Sequence, residues 1–323
     1  MHIPDGFLDA RTAVVTGALA TAGLGVALRQ ARLSLPPRRV PLLGLAASFV
    51  FAAQMVNFPV AGGTSGHLIG AVLASVLLGP SAGVVALSAV LIVQCLMFAD
   101  GGLSALGANI LNMALIGGVA GWAIYHGVSR VMGGSLLGRL TAAAFAAWCS
   151  TVLAAVACAG ELAASRTVSW TAALPAMAGV HMLIGVGEGL ITSLVLSAIA
   201  RTRPELLQPD AATRPPRSYA AIAAYGFLIA VALALFASPL ASHLPDGLDH
   251  TAALLGFEHQ ATGSVVPAPL PGYELPGLHA GVLATSLAGA LGTVVAFLLA
   301  WLLARVLVPR ATATPLDTAG LPR

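Results

Sequence analysis

Apolar runs long enough to cross a bilayer recur along this 323-residue chain, and they limit its fold before any other feature does. A hydrocarbon core about 30 Å thick takes roughly 20 helical residues. Inside it every backbone amide must find a partner within the chain. Nine membrane segments can be read, at residues 12–28, 40–56, 68–79, 82–98, 103–126, 136–159, 171–199, 219–237 and 278–304. With 58% hydrophobic and only 8% charged residues, and a mean hydropathy of +0.92, the chain cannot be a water-soluble globular domain. The expected fold is an all-α integral membrane protein. The segment at 68–79 is too short to span upright, so it must combine with irregular backbone before it, held where protein or a cavity surrounds the chain.

Arginine placement orients the bundle. There is no lysine, and 13 of the 15 arginines fall on one side if the amino terminus is outside: Arg29, Arg32, Arg38, Arg39, Arg130, Arg139, Arg201, Arg203, Arg214, Arg217, Arg305, Arg310 and Arg323. Only Arg11 and Arg166 fall on the other. By the positive-inside rule this predicts an odd number of spans, the amino terminus outside and the carboxyl terminus inside. The net charge of +3 thus reports topology, and no basic stripe with interleaved aromatics indicates nucleic-acid binding. His2, His67, His243, His250, His259 and His279 sort to the outer face with eight of the 12 acids. Cys95, Cys149 and Cys158 lie within spans without any C-x-x-C pair, which makes them packing residues.

The clearest boundary is 201–218, RTRPELLQPDAATRPPRS, a Pro- and Arg-rich inner linker. It divides a membrane domain at 1–200 from a two-span module at 219–323, whose long outer loop covers roughly 238–277. Pro4-Asp5-Gly6 near the start recurs as Pro245-Asp246-Gly247 in that loop. Pro-Asp-Gly is a common turn, and chance is the favoured account of the repeat.

The chemistry starts at Met1-His2. A free amine, the deprotonated amide nitrogen of residue 2 and its imidazole close two small chelate rings, and a second histidine can add a fourth nitrogen in the plane. Four planar nitrogens suit Ni(II) or Cu(II). The opening MHIPDGFLDAR has no basic-then-apolar pattern of a secretory signal, and His2 is too bulky for methionine removal, so Met1 is expected to remain the terminus. The natural second histidine is His67, in Asn57-Phe58-Pro59-Val60-Ala61-Gly62-Gly63-Thr64-Ser65-Gly66-His67. Proline and three glycines preclude a continuous helix there. Thr64 or Ser65 is expected to cap the next helix, with His67 in its first turn, where the dipole favours neutral imidazole. His181 and Glu188, seven residues apart, share a helix face. With Gln54, Gln94, Asp100, Asn109 and Asn112 they suggest a polar chamber at the outer end.

MHIPDGFL, NFPVAGGTSGH, Phe98-Ala99-Asp100-Gly101-Gly102 and GVHMLIGVGEG together resemble the CbiM/NikM family, the substrate-capture (S) component of cobalt and nickel energy-coupling factor (ECF) transporters. The likeness covers about residues 1–200, and the tail resembles the two-span NikN/CbiN partner, with Pro245-Asp246-Gly247-Leu248-Asp249 where that partner often reads PDGLE. The resemblance implies an S-component-like bundle of seven membrane segments plus two further transmembrane helices, in a prokaryotic plasma membrane. It implies a metal site of Met1, His2 and His67; Asn57, Ser65, Asp100, His181 and Glu188 are candidates for the layer around it. The cargo would be Co²⁺ or Ni²⁺, with no cofactor. Lacking G-x-x-x-x-G-K-[ST], the chain would depend on a transmembrane coupling (T) protein and a pair of cytoplasmic ATPases, within membrane lipid. The Ala/Gly-rich stretch Ala18–Gly23 offers a smooth face to such a partner. Two other readings are a secondary-active metal transporter and an intramembrane metallo-enzyme; the second has no H-E-x-x-H to support it.

Overall fold

The computed structural model describes residues 1–207, 218–278 and 280–308. In chain order the main elements are α1 (Ala10–Ser34), α2 (Val40–Gln54), β1 (Phe58–Val60), β2 (Thr64–Gly66), α3 (Ala71–Leu78), α4 (Pro80–Phe98), α5 (Leu106–Val131), α6 (Leu136–Ala164), α7 (Trp170–Thr202), α8 (Tyr219–Phe236), α9 (Gly247–Leu255) and α10 (Gly281–Leu307). Among the described residues seven of the helices, all but α2, α3 and α9, are long and apolar enough to cross a membrane. At 15 and eight residues, α2 and α3 are each too short to span alone.

Between α2 and α3 the all-α expectation gives way to a small antiparallel hairpin, β1 with β2, in the register Phe58↔Gly66 and Val60↔Thr64. Pro59 cannot donate to a helix, and Gly62 and Gly63 turn the chain at φ +86° and +80°. The hairpin also corrects the expected start of α3. That helix begins at Ala71, behind Gly70 in the left-handed region at φ 75°, so His67 precedes it by a full turn and Thr64 and Ser65 cap nothing. Glu188 of α7 takes the cap's place. Its carboxylate accepts from the Ile69 amide at 2.5 Å and the Gly70 amide at 2.9 Å.

α5 is not a uniform helix, since Ile110–Ala120 runs as π-helix. Such widened turns are rare and frequent at functional sites. This one leaves Asn109 and Asn112 both buried.

Small residues bring the helices close. α6 packs along α7, and α10 lies against α2 and also touches α4 and α8. Every fourth residue of α10 from Ala284 through Ala288, Gly292, Ala296 and Ala300 to Ala304 is buried. A Cβ on Gly292 would stand 2.6 Å from ring atoms of both Phe51 and Phe98, so only glycine admits that crossing. The second module is thus one wall of the bundle. The Ala18–Gly23 stretch of α1 divides, with Ala20 buried and Gly23 against Leu115, while Ala18 and Ala22 stay exposed.

At the end of α2 away from the hairpin, the Arg139 guanidinium donates to the Leu207 carbonyl at 3.1 Å, and Arg38 and Arg39 stand 6.0 and 5.9 Å from the Tyr219 ring centre. Most of the 201–218 linker, with Arg214, Arg217, Arg310, Arg323 and His279, lies outside the described residues.

Glu188→Ala strands two buried amides and lowers stability by about 2–4 kcal/mol. Glu188→Gln, which keeps one acceptor oxygen, costs less. Thermal unfolding in detergent checks this, and an unchanged midpoint for the alanine variant contradicts it.

Candidate metal centre

The amino terminus is threaded into the bundle. Met1, Ile3 and Phe7 are 4%, 0% and 2% exposed. Asn109 holds Ile3 at both main-chain groups: its Oδ1 accepts the Ile3 amide at 2.8 Å and its Nδ2 donates to the Ile3 carbonyl at 3.1 Å. The Gly102 amide donates to the same carbonyl at 2.8 Å. Asp5 anchors the next turn, its Oδ1 accepting from the Ser104 amide at 2.8 Å and the Ser104 hydroxyl at 2.6 Å. Residues 1–5 are therefore fixed from several sides before any metal is considered.

This threading delivers the Met1 amine to His67. The amine donates to His67 Nε2 at 2.8 Å and to Asp246 Oδ2 at 2.7 Å. The His67 Nδ1–H donates to the Leu68 carbonyl at 3.1 Å, which leaves the Nε2 lone pair to face the amine. The His2 ring stacks on His67, centres 5.1 Å apart and planes inclined by 22°. The amine, the His2 ring and His67 Nε2 thus meet in one buried place.

His2 is oriented by a chain of amides. Gln54 Nε2 donates to the Ile69 carbonyl at 2.9 Å, Gln94 Nε2 donates to Gln54 Oε1 at 2.7 Å, and Gln94 Oε1 is left to accept from His2 Nε2 at 3.1 Å. Each amide's direction is set by the one before it, starting from a carbonyl that can only accept. The proton is thereby assigned to His2 Nε2, and Nδ1, the nitrogen that closes a chelate ring with its own amide, carries the lone pair. Nδ1 faces Asp100 Oδ1 at 3.2 Å. An imidazolium that also carries a proton on Nδ1 pairs with that carboxylate, whereas the neutral ring presents a lone pair to it. Burial pushes the His2 imidazolium below its ordinary pKa, against an upward pull from Asp100, and favours the neutral ligand form. Asp100 is held from its other oxygen by the Tyr273 hydroxyl at 2.5 Å.

Asp246 is the residue that sequence reasoning missed. It caps α9, its Oδ1 accepting from the Leu248 and Asp249 amides at 2.8 and 2.9 Å, while Oδ2 takes the amine. Burial alone would raise its pKa. The amine's charge and the cap bond from Asp249 override that and hold it below the usual carboxylate range. The repeated Pro-Asp-Gly is the signal the sequence carries for it: both copies flank the amino terminus, with the Thr262 amide donating to the Asp5 carbonyl at 2.8 Å.

The other candidates fall in three places. Ser65 faces the second module, its hydroxyl donating to the Leu244 carbonyl at 2.7 Å and its amide to the Pro245 carbonyl at 2.8 Å. Asn57 also meets that module, its carbonyl accepting from the Ser242 amide at 2.8 Å. His181 lines a cavity of about 10 Å³ with Met1, His67, Asp246 and Gly247. Glu188 sits at the start of α3, apart from the ligand atoms. Among the described residues no three His, Cys, Asp or Glu side chains stand close enough to hold a metal ion.

Fold and site define a multi-pass membrane protein with a nitrogen-rich polar centre buried at one end of its bundle. Residues 2–206 match the family described as CbiM, cobalt uptake substrate-specific transmembrane region, and residues 220–309 match the PDGLE domain. The chain belongs to the CbiM family, in a form that also carries a PDGLE domain, and its relatives are named as metal transport proteins, not enzymes. It is 39% identical over 310 residues to an Archaeoglobus fulgidus protein provisionally named fused nickel transport protein NikMN, covering 94% of this chain and 98% of that one. It is 35% identical over 293 residues to the fused nickel transport protein NikMN of Rhodobacter capsulatus, covering 84% of each. A crystal structure of a transition metal transporter superposes with a TM-score of 0.58 at 33% identity, over 67% of this chain and 100% of that one.

Asp246→Ala removes ion pair and helix cap together and costs about 2–4 kcal/mol. Asp246→Asn keeps the cap oxygen and costs about half as much. Because the folded carboxylate titrates below its unfolded value of about 4, its stabilisation is complete above that pH and disappears only as pH falls through the lower folded value. Hydrogen exchange over residues 242–256 reads both effects; a loop that opens equally in all variants contradicts them.

Proposed function

We propose that the protein is the metal-capturing membrane subunit of an ECF-type ABC importer for divalent cobalt or nickel. The ion binds through the Met1 amine, the His2 amide and Nδ1, and His67 Nε2. The observation that carries this reading is the buried contact of the Met1 amine with His67 Nε2 at 2.8 Å beside a stacked His2 ring. The histidine tautomers set by Leu68 and Gln94 leave free the two ring nitrogens such a chelate needs. Four nitrogens in a plane suit Ni(II), while the relatives are named for nickel or for cobalt.

Three parts share the work: a metal-binding membrane domain at 1–200, a cytoplasmic linker at 201–218, and a NikN/CbiN-like module at 219–323 whose outer loop closes over the site. The amino terminus faces outside and the carboxyl terminus inside, in keeping with the arginine bias. Nine membrane segments are read here as seven long helices plus the broken α2–hairpin–α3 passage. Asp100 and Ser65 support the site, Asp100 at His2 and Ser65 through the closing loop. A separate coupling protein and ATPase pair supply the energy, the exposed residues of α1 being open to such a partner.

A chain with one residue added before Met1 keeps every side chain and loses the chelate. Its Ni²⁺ or Co²⁺ affinity falls at least about a hundredfold by calorimetric titration, as does that of His67→Ala. Binding unchanged in the extended chain refutes the site. Transport that persists without the neighbouring ATPases would instead mark a secondary-active carrier.

A further inference from the structure

His181 is 1% exposed. Its Nδ1–H donates to the Met177 carbonyl one turn back at 2.7 Å, which assigns the lone pair to Nε2. That Nε2 is buried and has no protein partner among the described residues. The histidine is one of the residues lining the small cavity that Met1, His67 and Asp246 also line. A buried nitrogen acceptor left unpaired is costly, and a satisfied packing histidine would have both ring nitrogens bonded. The volume, about 10 Å³, is room for one water-sized ligand or one bare ion. The ring lies at the seam between modules: a Cβ on Gly247 would stand 2.7 Å from His181 Cε1 and 3.0 Å from Nε2. Glycine there keeps the lone pair open.

We infer that His181 is a further metal-binding residue, a docking ligand whose Nε2 takes the incoming divalent ion before the amine–imidazole chelate closes on it. This rests on the site proposed above. Nε2 displaces one water from the hydrated ion and the adjoining Asp246 carboxylate offsets its charge; the Met1 ammonium and the His2 amide then each release a proton to solvent water, and the ion exchanges His181 for the freed amine and amide nitrogens and the His2 and His67 imidazoles. The order follows from geometry. The amine and His67 Nε2 are already in contact with each other, whereas His181 Nε2 has no bond to give up.

A stepping stone lowers the barrier in both directions and leaves the end points alone. Stopped-flow mixing of Ni²⁺ with the full chain in detergent, followed by release to a chelator, tests this. His181→Phe slows loading and release alike, on the order of tenfold, with Kd within about threefold of wild type. Gly247→Ala, which keeps the histidine and crowds Nε2, does the same. His181→Gln, able to hold a water, does not restore the rate. The near-normal Kd also shows that the variants are folded. A wild-type loading rate in both His181→Phe and Gly247→Ala overturns the assignment, and so does rescue by glutamine, which would mean the ring only holds a water. Weakened Kd at an unchanged loading rate overturns it too, since that marks a permanent ligand. Loss of this role leaves the Met1–His2–His67 chelate standing, whereas wild-type binding by the extended chain removes the chelate itself.

Discussion

A buried ammonium group is the constraint on which the rest of this structure depends. The Met1 amine sits inside the bundle, 2.7 Å from the Asp246 carboxylate and 2.8 Å from His67 Nε2. Burying such a charge without a partner is prohibitive. The first five residues therefore need anchors that hold the amine where its partners are. Asn109 pairs with Ile3 as a strand would, Ser104 fixes Asp5, and Gly102 lets the backbones approach, since a Cβ there would lie 2.7 Å from Asp5 Cα. The π-helical stretch that begins just after Asn109 belongs to the same arrangement.

The counter-charge comes from the other module. Asp246 is a helix cap and an ion-pair partner at once, so α9 and the amino terminus stabilise each other. The loop that carries it is bonded to the β1–β2 hairpin through Ser65, Thr64 and Asn57, and to the amino-terminal turn through Thr262. Beneath, the stripe of small residues on α10 seats the second module against α2. A fused chain keeps the module at hand for its own partner domain, as in the fused relatives. Asp246 and Gly247 of the outer loop line the cavity beside the buried nitrogens, and the docking role inferred for His181 places the first ligand at that seam between the modules.

Much of this was legible in the residues. The apolar runs locate the long helices because lipid allows the backbone few alternatives. Pro59, Gly62 and Gly63 announce that the chain cannot stay helical before His67, and Met1-His2 pointed to the meeting of the amino terminus with His67 that the 2.8 Å contact shows. What was not legible is tertiary. That Glu188, 119 residues after Ile69 and 118 after Gly70, caps the turn before α3 has no local signature, so the helix was placed too early and Thr64 and Ser65 were given its cap. Gln54 and Gln94 were visible as polar residues in apolar surroundings, but their joining into one relay to His2 depends on how α2 meets α4. Asp246 was hidden by the commonness of Pro-Asp-Gly turns, and only its distance from Met1 in space gives it a role.

The central claim is that main-chain and imidazole nitrogens of the amino terminus hold the ion. Nickel K-edge X-ray absorption of the loaded full chain tests it most directly. The account predicts a first shell of four nitrogens without sulfur, with the pre-edge feature of a square-planar ion. A six-coordinate shell dominated by oxygen would contradict it and move the ion to the carboxylates of the outer loop.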